Sequence, residues 1–140
     1  MATIFTKIID GHIPGTFVWK DDVCVAFMSI NPLATGHTLV VPRTETDHWV
    51  NLSRQQAQHL FDVAHVLGAA MNRTFPCERV GLIIAGYEVA HTHLHVIPTS
   101  NMSELDFRNA KDVVTREELD HAAGLLRVTL REMGEKSVAD

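Results

Sequence analysis

The segment His91-Thr92-His93-Leu94-His95-Val96-Ile97, closed by Pro98, limits the possible folds more than any other part of the chain. In an extended strand successive side chains point to opposite faces. The three imidazoles then share one face, roughly 6.5–7 Å apart, and Thr92, Leu94 and Val96 share the other. Imidazoles on a buried face each need a hydrogen-bond partner. Three readings meet that demand. The face is a satisfied polar surface, or it holds a metal, His-x-His being ligand spacing in open zinc sites. In the third reading one imidazole is a nucleophile whose neighbours fix its tautomer and meet a phosphate. Little nearby supports the metal, because Cys24 and Cys77 have no Cys-x-x-Cys partner and the strand carries no carboxylate.

The rest of the chain reads as α+β. Ile4, Phe5, Ile8 and Ile9 recur at helical spacing and Gly11 stops the helix. Strands are expected at 16–20 and 23–28 around the Asp21-Asp22 turn, at 37–41 before Pro42, at 80–85, and at 90–97 before Pro98. Ser53-Arg54-Gln55-Gln56 and Thr115-Arg116-Glu117-Glu118 have capping-box spacing. Behind them Ala57, Leu60, Ala64, Leu67 and Met71, then Leu119, Ala122, Leu126, Leu130 and Met133, form apolar stripes of two main helices. Residues 99–114 read as a long polar loop and the tail after Glu135 as frayed. The expected architecture is one domain over 1–140, with mostly antiparallel strands and the helices grouped on one side.

Composition excludes several classes. A chain of 140 residues with 46% hydrophobic and 21% charged residues is neither disordered nor fibrous. No apolar run reaches the roughly 18 residues that span a bilayer, so no membrane is expected. The first seven residues, Met1 to Lys7, do not read as a signal peptide. Twelve basic against 17 acidic residues give a net charge of −5, with no basic stripe, so a nucleic-acid polymer is not an expected partner. Two cysteines in apolar contexts fit buried thiols in a reduced, cytoplasmic protein. Nine histidines are the anomaly.

The triad window resembles the signature of the histidine triad (HIT) superfamily, His-φ-His-φ-His-φ-φ with φ hydrophobic, Thr92 being a mild departure. The N-terminal half strengthens the likeness: Ile4-Phe5-Thr6-Lys7-Ile8-Ile9 leads to Ile13-Pro14, Ala26-Phe27 precedes Ile30-Asn31-Pro32, and Gly36-His37-Thr38-Leu39-Val40-Val41-Pro42 completes the run. Their order and spacing are similar to the Hint branch over residues 3–98. That resemblance implies a five-stranded antiparallel sheet with two main helices, usually in a homodimer whose sheets join. It implies a hydrolase in which His93 attacks the α-phosphorus of a purine nucleotide conjugate and forms a nucleotidyl-imidazole that water hydrolyses. His95 would contact phosphate oxygens, His91 would fix the strand and the His93 tautomer, and His37 would pack beside them. Phe5, Ile8, Ile13, Phe27 and Ile30 would form the base and sugar pocket. No metal is implied for the covalent step, although a divalent cation can accompany a polyphosphate substrate.

The chain departs from that pattern where ligand is held. Ser29 replaces an acidic or amide residue that meets the ribose. Gly86-Tyr87-Glu88-Val89-Ala90-His91 replaces Gly-Gln-Ser/Thr-Val-x-His, so Tyr87 and Glu88 stand where phosphate-contacting side chains are common. A carboxylate at Glu88 repels phosphate unless it is protonated or turned to solvent. Thr6 stands where some members have a zinc-binding cysteine, so that zinc site is missing. Gly86-Tyr87-Glu88-Val89-Ala90-His91 is similar to a bacterial subgroup reading Gly-Leu-Glu-Val-Pro-His. These departures keep open an alternative, a nucleotide-binding module with little turnover. His12, His48, His59, His65 and His121 match no motif position.

Overall fold

A computed structural model describes residues 2–140. Helix α1 spans Ile4–Ile9, and strands β1 (Phe17–Lys20), β2 (Cys24–Met28) and β3 (Thr38–Pro42) follow. Helix α2 (Arg54–Thr74), strands β4 (Arg79–Ile83) and β5 (Leu94–Thr99), and helix α3 (Arg116–Glu132) complete the order. The strands form one antiparallel sheet in the order β1-β2-β3-β5-β4. The Ser53 capping box is complete, whereas Thr115 makes one arm, accepting from the Glu118 amide.

Side-chain alternation splits the sheet into two chemistries. One face carries Cys24, Ala26, Met28, Val40, Leu94 and Val96, packed under α2 (Leu60, Leu67, Met71) and α3 (Leu126, Leu130). The other carries Val25, Phe27, Leu39 and Val41 under Phe5 of α1. On this second face Phe17, Phe27, Leu39, His95 and Ile83 lie in one rung across all five strands. The α1 face therefore delivers the third histidine of the motif.

Four expectations are corrected. β5 starts at Leu94, not at Ala90: the Thr92 amide donates to the Thr46 carbonyl and the His91 amide to the Val89 carbonyl, so 90–93 leave the ladder. Pro98 does not end it, because pairing with β3 finishes at Val96 and the missing N–H costs no rung on that side. The tail does not fray. The Lys20 amide donates to the Ser137 carbonyl, Val138 bridges Trp19, and Ala139 is buried, so the tail covers the β1 edge. Cys24 is buried but Cys77 is half-buried, and both are free thiols.

Two local devices yield predictions. Gly36 turns the chain into β3 at φ +96°, where a Cβ would lie 2.6 Å from the Phe75 ring. Gly36→Ala combines a left-handed backbone with overpacking, and urea unfolding is expected to show a loss of about 2 kcal/mol. A loss below about 0.5 kcal/mol would mean that the turn relaxes.

The Asp21 carboxylate organises the β1–β2 turn. Oδ1 accepts from the Val23 and Cys24 amides, both at 2.8 Å, and Oδ2 lies 2.7 Å from Trp19 Nε1 and from His59 Nε2. Burial pushes its pKa up, but the bonds from Trp19, Cys24, His59 and Val23 win and hold it at about 2. A carboxylate depressed in the fold stabilises above its ordinary value and loses that contribution as pH falls through the folded one. Stability should therefore drop between about pH 4 and 2, and Asp21→Asn should lack this part of the drop in acid titrations of unfolding. An identical acid slope in the variant would contradict the assignment.

Candidate active site

The irregular stretch before β5 is what assembles the site. His93 and His95 stand two residues apart on the α1 face, with ring centroids 4.8 Å apart. His37, two residues before Leu39, joins them on the same face, and His91 lies behind. All four rings are buried.

Hydrogen bonds fix each neutral tautomer in turn. The Leu33 amide, which can only donate, gives its proton to His37 Nδ1 at 3.0 Å. The His37 proton is therefore on Nε2, and it is donated to His95 Nδ1 at 2.9 Å. His95 in turn carries its proton on Nε2, a buried donor without a partner among the described residues. His93 Nδ1 lies 2.7 Å from the His91 carbonyl, which can only accept, so its proton is there and Nε2 presents a lone pair. His91 Nε2 donates to the Pro42 carbonyl at 2.7 Å, and its Nδ1 accepts from Thr3 Oγ1 at 2.7 Å. Burial, reinforced by His95 and His93, lowers the pKa of His37 to about 3. Burial and the His93 ring lower that of His95 to about 4. The relay is neutral at physiological pH.

A lone pair and an N–H thus point side by side into a cavity of about 390 Å³, large enough for a small ligand. Phe5, Ile8, Phe27, Ser29 and Ile30 line it with His37, His93, His95 and Glu88. Phe5 stands edge-on to His93 at 4.9 Å and to Phe27 at 5.5 Å. Two of the expected ligand residues lie elsewhere. Ile13 gives way on the wall to Pro14 and Gly15, and Tyr87 is 97% exposed on its turn. His91 does not line the cavity either; its carbonyl, rather than its ring, sets the His93 tautomer.

Glu88 is the unexpected feature. Its carboxylate turns inward, with Oε2 3.5 Å from His93 Nε2 and Oε1 3.9 Å from His95 Nε2. Both distances exceed a hydrogen bond. Sequence reading also missed Phe107, whose ring centroid is 4.7 Å from that of His95. It sits on a short 3₁₀ turn, Phe107–Asn109, inside the segment expected to be loop. That segment is stapled to the 30–32 loop: the Val114 amide donates to Ile30, the Lys111 amide to Pro32, and Asn31 Nδ2 to the Lys111 carbonyl. A single aromatic in a polar stretch was the only available signal.

A model of the HIT domain matches residues 10–102. The chain belongs to the HIT family. An uncharacterized HIT-like protein of Borreliella burgdorferi is 37% identical over 68% of this HIT chain and 73% of its own. Adenylylsulfatase HINT3 of Arabidopsis thaliana is 26% identical over 68% of this chain and 51% of its own length. Among solved structures, a zinc-bound histidine triad family protein from Mycobacterium smegmatis superimposes with a TM-score of 0.82, covering 96% of both chains at 24% identity. That likeness concerns the fold: the five-stranded sheet and helices described above are those of HIT proteins.

Among the described residues, two groups of side chains in this HIT protein gather metal-type donors within 4.8 Å: Asp21 with Cys24 and His59, and Glu88 with His93 and His95. Neither donor set fits a metal well. The Asp21 oxygens already accept five hydrogen bonds, one of them from the Cys24 thiol, and burial together with the Asp21 charge raises the Cys24 pKa, keeping the thiol protonated. In the second group the His37 relay puts the His95 proton on the nitrogen that would have to bind. The three-imidazole set of His91, His93 and His95 is not assembled, since both His91 ring nitrogens are engaged.

Proposed function

We propose that this HIT protein is a cytoplasmic hydrolase that releases a nucleoside monophosphate from a phosphoramidate or dinucleoside polyphosphate, through a nucleotidyl-His93 intermediate. The observation that carries the reading is the fixed tautomer pair, a His93 Nε2 lone pair beside a His95 Nε2–H. In the first step Nε2 bonds to the α-phosphorus and the bond to the leaving group breaks, its electron pair departing with that group, an amine nitrogen taking up a proton from solvent as it leaves. The imidazole becomes cationic as the bond forms, and the His91 carbonyl already accepts from its Nδ1–H. His95 donates to a non-bridging oxygen as negative charge builds there. In the second step water bonds to phosphorus and gives up one proton to solvent, the Nε2–P bond breaks, and its electron pair returns to Nε2 as the ring becomes neutral. Phe5, Ile8, Phe27 and Ile30 would sandwich the base and Ser29 would reach the sugar. No metal is required for these steps, and a divalent cation would serve only to neutralise a polyphosphate.

The inward carboxylate of Glu88 favours the second reading, a nucleotide-binding module with little turnover. AMP release from adenosine 5′-phosphoramidate and from diadenosine polyphosphates, assayed in chelator, separates the two. Turnover is the expected result; nucleotide binding without product would leave the module.

We further propose a homodimer through β4. The β1 edge is covered by the tail, whereas β4 ends the sheet with half-exposed Leu82 and a groove lined by Phe61, Gly68 and Ala69. A second copy pairing there would join the sheets and bury an otherwise open edge.

A further inference from the structure

We infer that Glu88 determines specificity by the charge of the leaving group, admitting conjugates whose leaving group is neutral or cationic and opposing phosphate chains. The inference rests on reading the cavity as a nucleotide-conjugate site. At 3.5 Å from His93 Nε2, the carboxylate occupies the place that an attacked phosphorus must take. It has to yield when a phosphate enters. Among the described residues nothing hydrogen-bonds it, and its side chain is 49% exposed. The backbone around it moves less freely, because Val89 packs against the cluster of Phe5 and Phe27. Half exposed and without a hydrogen bond, the side chain is free to rotate toward the mouth of the cavity when a ligand enters.

Displacement at phosphorus is in line, so a leaving group opposite His93 Nε2 exits away from the sheet, into the space where the rotated carboxylate stands. The rest of the cavity offers little compensation. Among the described residues, and apart from histidines, the only other charged lining residue is Arg116, and its guanidinium already faces Asp120 at 3.4 Å. His37 and His95 are held neutral and add no positive charge. Each negative charge on a leaving group thus meets Glu88 without a free cation, while an ammonium meets an unpaired carboxylate. Two unit charges at a partly exposed site of this kind differ in affinity by about tenfold.

The test is calorimetric binding in chelator to the full chain and to Glu88→Gln. The three probes share AMP: the 5′-(2-aminoethyl phosphate), the 5′-methyl phosphate, and α,β-methylene-ADP. Wild type should bind them in that order of decreasing affinity. Relative to the methyl ester, which carries the shared α-phosphate charge alone, Glu88→Gln should tighten α,β-methylene-ADP by about tenfold and weaken the aminoethyl ester several-fold. A common factor for all three, or no change above about twofold, overturns the inference. So does a wild type that binds none of them. The charge-dependent shift in a protein that releases no AMP from a phosphoramidate would sustain the selectivity and sink the hydrolase reading alone.

Discussion

Replacing His93 with alanine is expected to remove AMP release by about a thousandfold or more while the protein stays folded. The reason is stoichiometric: without Nε2 no nitrogen bonds phosphorus, and the two-step route closes. No neighbour can substitute. His95 Nε2 carries a proton imposed by His37, and both His91 nitrogens are committed to Thr3 and Pro42. The variant keeps the apolar cavity wall and the His95 N–H, so nucleotide binding should fall far less than turnover. A loss of binding equal to the loss of turnover would instead mark His93 as an anchor. An unaltered rate would refute the nucleophile.

His37→Phe should cost about a hundredfold in kcat/KM although His37 touches no reacting atom. His37 accepts from the Leu33 amide at 3.0 Å and donates to His95 Nδ1 at 2.9 Å. Phenylalanine fills the space but frees His95 to move its proton to Nδ1. The cavity then faces a lone pair where a phosphoryl oxygen needs a donor. Losing one such donor in a buried site costs about 10²–10³-fold in rate, and the effect should fall mainly on kcat. His37→Gln, which can accept from Leu33 and donate to His95, should recover part of the loss. Equal activity in the phenylalanine and glutamine variants would show that His37 only packs. The orphaned Leu33 amide should also lower stability by about 1–3 kcal/mol, seen in urea unfolding.

What could be read in advance follows how local the signal was. The capped helices were visible because cap and stripe lie within one segment, and Ser53 to Met71 behaves accordingly. The single-rung alignment of Phe17, Phe27, Leu39, His95 and Ile83 was not visible, since register depends on pairing between distant segments. The spacing of the histidines marks the site, yet the strand that would explain it begins only at Leu94; tertiary bonds from Thr46 and Pro42 hold His91 and Thr92 instead. Position 88 is a visible departure in the sequence, but only the folded turn after Gly86 shows its carboxylate facing His93. The tail and Phe107 were missed for one reason. Both are short segments without periodicity, placed by contacts with residues far away in the chain.

The central claim is a covalent bond between His93 and the nucleotide. Rapid acid-free quenching with adenosine 5′-phosphoramidate labelled in the adenine ring, followed by peptide mapping, tests it most directly. The account predicts label on His93, appearing at or faster than the rate of AMP release and absent in His93→Ala. Wild type that releases AMP without ever carrying label, even when quenched within its first turnover, would contradict it and point to direct attack by water.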